Sequence, residues 1–246
     1  MRLLLLLEEL GRAGVPITPT EANNALGLPK ATVHRLFHTL ENEGFVQRDI
    51  NGTSFGPGRR FRKLSANVLS SLRIRTARLA VLQGLADQIG ETCNIAAAKR
   101  NGMIYLDRVE TKWPLRIQLP IGTEVPFHCT ASGKMYLSSL EKSHLDGLLA
   151  ASPLEAQTSK TLTTLEALKE EIDLIRDRGY STDNEEFMEG MVAMAVPIRD
   201  DQGRLMSTLS VHGPIQRLSL DNATRYVGLM RKTADDLSNL IVETNG

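Results

Sequence analysis

The stretch LPKATVHRLFHTLENEGFV, residues 28–46, limits what this chain can fold into more than any other segment. Pro29 suits the first turn of a helix, where its fixed φ fits and its missing N–H costs nothing. Val33, Leu36, Phe37 and Leu40 then recur at the spacing of one apolar helix face. Gly44 stands where such a helix stops, in the left-handed conformation that a residue without Cβ adopts cheaply. The opposite face carries Lys30, Thr32, His34, Arg35, His38 and Thr39. These side chains have the reach and donors that meet phosphates and base edges. By itself the pattern also describes an ordinary amphipathic helix with a solvated side.

The flanking segments favour the nucleic-acid reading. Leu3–Leu7 with Leu10 predict a Leu-dense helix ending near Gly11 and Gly14. A short helix is expected from Pro19 to Leu26, capped by Thr18 or Thr20 and closed by Gly27. Two helices joined by so short a turn match a helix-turn-helix. Downstream, FVQRD and TSF read as strands around Ile50-Asn51-Gly52, a hairpin signal because Asn and Gly both tolerate positive φ. Three helices and a hairpin make a winged helix-turn-helix. The hairpin leads into Arg59, Arg60, Arg62 and Lys63, a basic cluster suited to a phosphate backbone.

Charge divides along the chain in the same sense. The 246 residues hold 29 Lys/Arg and 29 Asp/Glu, but residues 1–75 hold 11 basic against 6 acidic and the remainder 18 against 23. A basic first third on an acidic remainder suggests a nucleic-acid module joined to something else. The length fits two domains, and 41% hydrophobic with 24% charged residues is ordinary for a globular protein. Aromatic content of 4% argues against a single-strand binder that stacks bases. The opening MRLLLLLEEL is too short and too soon charged for a secretion signal. No apolar run reaches membrane-spanning length, so no membrane partner is expected. Cys93 and Cys129, far apart and outside any CxxC, fit thiols of a reducing cytoplasm.

From Phe61 to Ile89 the periodicity is helical, with Phe61, Leu64, Val68, Leu72, then Leu79, Leu82, Leu85, Ala86 and Ile89 at three- and four-residue steps. The polar run Arg73–Arg78 is read as a joint between a linker helix and the first helix of a second domain. An exposed apolar stripe on a linker helix favours pairing of two copies, which would hold two winged domains at a fixed spacing. Beyond Gly90, TCNIAAAK and MIYLDRVE predict a hairpin, and PLRIQLP with TEVPFH extend the β region. Short helices are expected at 133–140 and 145–149, a longer one at 165–178 with Gly179 beyond its end, and a closing helix at 220–242. MVAMAVPIRD and RLMSTLSVHG, joined through Gly203, predict a second strand pair. The fold class is α+β: residues 1–58 a winged helix-turn-helix, 59–75 a linker helix, 76–246 an α+β domain.

These segments resemble the IclR family of bacterial transcription regulators. The resemblance rests on GLPKATVHRLFHTLENEGFV, PFHCTASGKMYLSSL, IRDRGYSTDNEEFMEGMVAMAVPIRDDQGR and LSVHGP, four blocks in family order along the whole chain. One departure is Ser54-Phe55-Gly56-Pro57-Gly58, where many relatives have a Tyr-x-Leu-Gly step. The resemblance implies a GAF-like C-terminal domain that binds a small organic or aromatic acid, and homodimers often paired into tetramers. It places ligand contacts at Ala131, Ser132, Asp183, Ala193, Ser210 and His212. Thr130-Ala131-Ser132-Gly133-Lys134 at a helix start is also chemically suited to a carboxylate. Met188, Met191, Met194 and Met206 could form an adaptable wall, although methionines at such spacing more often fill a core.

Catalysis finds little support. Ser132 and Lys134, two apart on a helix, do not share a face, and adjacent Glu185 and Glu186 diverge. His128-Cys129 is the remaining nucleophile candidate, and no HExxH, GxSxG or P-loop occurs. Among the five His only His34 and His38 share a helix face, one already assigned to DNA rather than Zn. No cofactor and no metal are expected. The reading is a cytoplasmic transcriptional regulator, a repressor, that contacts a double-stranded operator. Thr32, His34, Arg35 and His38 would lie on bases, with Lys30, Arg59, Arg60 and Arg62 on phosphates. The alternative is a small-molecule sensor whose winged domain contacts protein.

Overall fold

The computed structural model describes residues 2–69, 72–114 and 119–242. The chain forms two compact units, Met1–Ser71 and Leu72–Gly246.

The first unit opens with three helices, α1 (Arg2–Ala13), α2 (Pro19–Asn23) and α3 (Lys30–Asn42). Thr18 caps α2 in a reciprocal box: its hydroxyl accepts from the Glu21 N–H, and the Glu21 carboxylate accepts from the Thr18 N–H at 2.7 Å. α2 is shorter than expected because a turn replaces helix after Asn23. The Asn23 side chain bonds both the N–H and the carbonyl of Leu28, fixing the turn into α3. Leu6, Leu7, Leu10, Ala22, Val33, Phe37 and Leu40 form the core with Val46 and Phe55, and the Phe37 and Phe55 rings lie 4.9 Å apart.

The wing is β1 (Val46–Arg48) paired antiparallel with β2 (Phe55–Pro57). The expected hairpin turn around Ile50-Asn51-Gly52 is corrected to a six-residue loop: Gly52 takes positive φ, but Asn51 does not. Instead the Asn51 carbonyl oxygen accepts from the N–H groups of Thr53 and Ser54. The polar side chain thus organises the loop in place of a left-handed backbone. Gly58 then lets the chain turn back close to Gly44, where any Cβ would stand 2.4 Å from the Gly44 carbonyl oxygen. Helix α4 (Arg59–Leu69) follows.

The second unit begins with α5 (Leu72–Ile89). The polar run Arg73–Arg78 therefore lies inside this helix and is not the joint; residues 70 and 71, between α4 and α5, are outside the described residues. After α5 come β3 (Thr92–Ala98), β4 (Met103–Val109), β5 (Glu124–Val125), α6 (Ala131–Ser138), α7 (Lys142–Ala151), α8 (Leu165–Arg178) and β6 (Ser181–Asn184). β7 (Met191–Arg199), β8 (Leu205–Pro214), α9 (Leu220–Thr224) and α10 (Val227–Val242) complete the chain. The anticipated PLRIQLP strand falls largely on residues 115–118, which are outside the described residues. The single closing helix is two, broken around Arg225-Tyr226. Met230, Ala234 and Leu237 face inward as expected.

The strands form one antiparallel sheet in the order β5-β4-β3-β8-β7-β6. One face is apolar: Cys93, Ile95, Val109, Met194, Val196, Ile198, Leu209 and Val211 pack beneath Leu82, Leu85, Ile89, Met230, Ala234 and Leu237 of α5 and α10. The other face lies beneath α6, which also packs on α8. The unit is a three-layer α/β/α sandwich, and what distinguishes it is the polarity of that second face.

Candidate functional site

In the first unit, α3 buries Val33, Phe37 and Leu40 and exposes Lys30, His34, Arg35 and His38, with Thr32 half-buried at the edge. At 3.6 residues per turn, Ala31, Arg35, His38 and Asn42 fall on a stripe opposite the buried face. Asn42 is absent from the sequence expectation; its amide lies 3.0 Å from His38 Nδ1, fixing that ring on the exposed face. Among the described residues the Arg35 guanidinium has no side-chain partner. The basic cluster divides. Arg60 pairs with Glu43 at 2.7 Å and stacks over Phe45, both partners of the pair being exposed. Arg62 donates to the Pro57 carbonyl and to Gln47 Oε1, which ties α4 to both wing strands. Arg59 stays exposed on the first turn of α4.

In the second unit the register aligns the other expected residues. Asp183 pairs with Ala193 and Ala193 with His212, so these three share one rung across β6, β7 and β8. Ser210 lies on the next rung of the same face, between Ala195 and Asn94. Ala131 and Ser132 open α6 above that face, anchored where the Ser181 hydroxyl donates to the Ala131 carbonyl at 2.6 Å. All six residues are buried. α6 begins two residues earlier than expected, with Thr130 as N-cap accepting from the Gly133 N–H. Only Gly fits at 133, because a Cβ there would stand 2.3 Å from the Phe127 carbonyl oxygen. Met194 and Met206 pack on the opposite, apolar face and Met188 is part exposed, so the four methionines form no wall here.

The structure adds Asn94 and Arg108 to this face, which the sequence did not single out, and brings in Lys134 and Glu186, which the sequence weighed only as catalytic candidates or as part of a helix start. Arg108 donates to Asn94 Oδ1 at 3.1 Å, and the Asn94 amide lies 3.1 Å from His212 Nδ1. Arginine can only donate, so Asn94 Oδ1 accepts and its NH₂ donates to Nδ1, which places the ring proton on Nε2. Lys134, 1% exposed, bonds Glu186 Oε1 at 2.5 Å. Asp183 Oδ1 accepts from the N–H groups of Glu186 and Phe187. Asp183 Oδ2 and Glu186 Oε2 are buried with no hydrogen-bond partner among the described residues. Burial, with the Glu186 charge adding to it, pushes the Asp183 carboxyl up to about 7. Burial likewise raises Glu186.

The nucleophile candidates are not arranged for catalysis. Burial pushes the Cys129 thiol up to about 12, while His128 Nε2 is engaged 2.9 Å from the Glu155 carbonyl. Glu185 binds Lys160 and the Gly190 N–H at the surface, apart from Glu186. Among the described residues, no three of His, Cys, Asp and Glu are grouped to hold a metal ion, and no helix is long and apolar enough to cross a membrane.

A helix-turn-helix with an exposed donor face, followed by an α+β unit whose sheet buries a polar site, is the arrangement of a DNA-binding regulator with a C-terminal ligand-binding domain. The chain belongs to the IclR family: residues 1–49 match the IclR helix-turn-helix domain, and residues 66–239 match the bacterial transcriptional regulator IclR C-terminal domain. It is 38% identical over 243 residues to a Cupriavidus necator protein named "Probable transcriptional regulator SauR", covering 99% of this chain and 96% of that one. It is 30% identical to the transcriptional repressor IclR of Escherichia coli, over 96% of this chain and 86% of the relative. The crystal structure of Thermotoga maritima IclR superposes with a TM-score of 0.65 at 25% identity, covering 97% of this chain and 96% of that one.

Proposed function

We propose that this chain is a cytoplasmic, non-enzymatic repressor whose operator affinity is set by a small organic acid bound in the second unit. The observation that carries the reading is the outer face of α3. Arg35, His34 and His38 stand exposed, while the opposite face is fully committed to the core. In a homodimer, two such helices enter successive major grooves about 34 Å apart, and dimers pair into tetramers. Thr32, His34, Arg35 and His38 read bases. Lys30, Arg59 and Arg60 hold phosphates, Arg60 by exchanging its exposed Glu43 partner for one. Arg62 has a second duty in bracing the wing.

The acid sits between the start of α6 and the rung of Asp183, Ala193 and His212. Backbone N–H groups of Ala131 and Ser132 and the Ser132 hydroxyl receive its carboxylate, helped by the helix dipole. Protonated Asp183 donates through Oδ2, and Ser210 and Ala193 set width and polarity. Fluorescence anisotropy with the DNA upstream of the protein's own gene tests the reading. Sequence-selective binding that weakens with salt and responds to one of a panel of organic acids is expected. Equal affinity for scrambled DNA, or no salt dependence, overturns it in favour of a winged unit that contacts protein.

A further inference from the structure

Two hydrogen-bonded groups meet on strand β4 from opposite sides of the sheet. On the inner face, His212, Asn94 and Arg108 form a chain with links of 3.1 Å each, and Arg108 also pairs with Glu110 at 3.2 Å. On the outer face the next residue, Asp107, is fully buried and receives Arg78 at 2.6 Å and Arg75 at 3.3 Å. Both arginines belong to the first two turns of α5, whose opening residue Leu72 directly follows the first unit in the chain. Arg78 is buried and Arg75 half-exposed. Between Asp107 and Tyr105 the register shifts: Ile95 pairs with Asp107 and Ala96 with Tyr105, so Leu106 is an extra residue. Such a bulge is where a strand changes twist and direction most readily.

We propose that Asp107 is a positioning residue that couples the polar site to the start of α5, through His212, Asn94, Arg108 and the β4 bulge. The proposal rests on the ligand-binding reading above for its biological meaning. The physical argument is local. The Asn94 amide is committed on both sides, so a group that changes what His212 accepts or donates must re-aim Asn94 and with it the Arg108 guanidinium. Arg108 is buried and cannot exchange its partners for water. The adjustment passes to the backbone of β4, where the bulge makes movement cheap. Asp107 carries it to the only two α5 side chains that bond it among the described residues. Asp107 holds the second turn of α5 through the buried Arg78 and the first through the half-exposed Arg75, so a shift of its carboxylate loosens both turns.

Hydrogen exchange on the full chain tests this without DNA and without a ligand, so its outcome is independent of the regulator reading. His212→Leu and, separately, Asn94→Leu remove the inner chain. Each is expected to lower protection of the amides at 76–80 by about fivefold or more, while those at 83–89 of the same helix hold. The double replacement Asp107→Leu with Arg78→Met exchanges the buried pair for apolar side chains, which keeps the fold. In that background His212→Leu is expected to leave 76–80 unchanged from the double variant. A purely structural role for Asp107 would lower protection in the double variant but leave the His212 effect intact. That result overturns the proposal, as does an inner-face variant that leaves 76–80 at wild-type protection.

Discussion

Helix α3 and the inner face of the six-stranded sheet both carry rows of polar side chains, and the two rows follow opposite rules. On α3 the polar row faces solvent and the helix is held by Val33, Phe37 and Leu40 on its far side. Its polar residues can change with little effect on folding. On the sheet the polar row is itself interior, covered by α6, and Asn94, Arg108, His212, Lys134, Glu186 and Asp183 are tied to neighbours by hydrogen bonds. If the acid binds there as proposed, recognition and stability rest on the same atoms. An external reading head can drift in sequence without unfolding the protein, whereas an internal site constrains its own replacements.

Lys134→Ala gives the largest expected difference. It leaves Glu186 buried without its cation, and removal of one partner of a buried pair costs about 3–5 kcal/mol. Urea denaturation should show it. Lys134→Met combined with Glu186→Leu should recover most of the loss, because both desolvation costs then disappear. A single variant with a wild-type midpoint would mean that the inner row is as tolerant as the outer one.

Asp183→Asn sharpens the contrast through pH. The folded-state carboxyl sits at about 7, above its ordinary 3.8, because of burial and the nearby Glu186 charge. A raised carboxyl contributes stability that is fully present below its ordinary value and is lost as pH rises through the folded value. Wild-type unfolding free energy should therefore decline from pH 5 to pH 8, and the Asn variant should decline less. Glu186, also raised by burial, contributes with the same sign, so the slope should shrink but not vanish. Identical slopes for the two proteins would remove Asp183 from the account.

The two regions also differ in how much of them the sequence discloses. α3 has a 3.6-residue apolar period, Pro29 before it and Gly44 after it, so its bounds and both faces could be read in advance. The sheet's apolar face was equally legible in VAMAVPI and LMSTLSV. The inner face was not, for two physical reasons. β6 is Ser-Thr-Asp-Asn, a composition that favours turns over strands; it forms a strand only because β7 pairs with it and α6 covers it. The partnership of Asn94, Arg108 and His212 joins residues 118 apart in the chain, and nothing local announces it. The resemblance to a family supplied Asp183, Ala193, Ser210 and His212, but not Lys134, Glu186, Asn94 or Arg108, which fill the spaces between them. The wing failed in a smaller way: Asn-Gly suggested a hairpin turn around Ile50-Asn51-Gly52 with both residues at positive φ, yet the Asn51 side chain bonds two backbone N–H groups and holds a longer loop.

Arg35→Ala probes the outer row at intermediate size. Operator affinity should fall by roughly 1–3 kcal/mol if the guanidinium reads a guanine. Folding stability should stay within about 0.5 kcal/mol of wild type, as for an exposed side chain that has no side-chain partner among the described residues. Anisotropy titration and thermal melting on the same preparation give both numbers. A large stability loss would show that this face is not free of the fold, and an equal loss on random DNA would remove base reading from Arg35.

The smallest expected effect separates two neighbours on α4. Arg59 is exposed on its first turn, so Arg59→Ala should weaken binding to every DNA sequence alike and reduce the salt slope by about 1. Arg62 holds the Pro57 carbonyl and Gln47, one on each wing strand. Arg62→Ala should therefore change binding through wing geometry as well as charge, and should cost some stability that Arg59→Ala does not. Plotting affinity against salt for both variants distinguishes them: parallel lines displaced from one another mean geometry, and a change of slope means a lost phosphate contact. If the two variants give the same slope and the same melting point, Arg62 belongs wholly to the exposed row. The boundary between the tolerant and the constrained polar residues would then lie outside the first unit altogether.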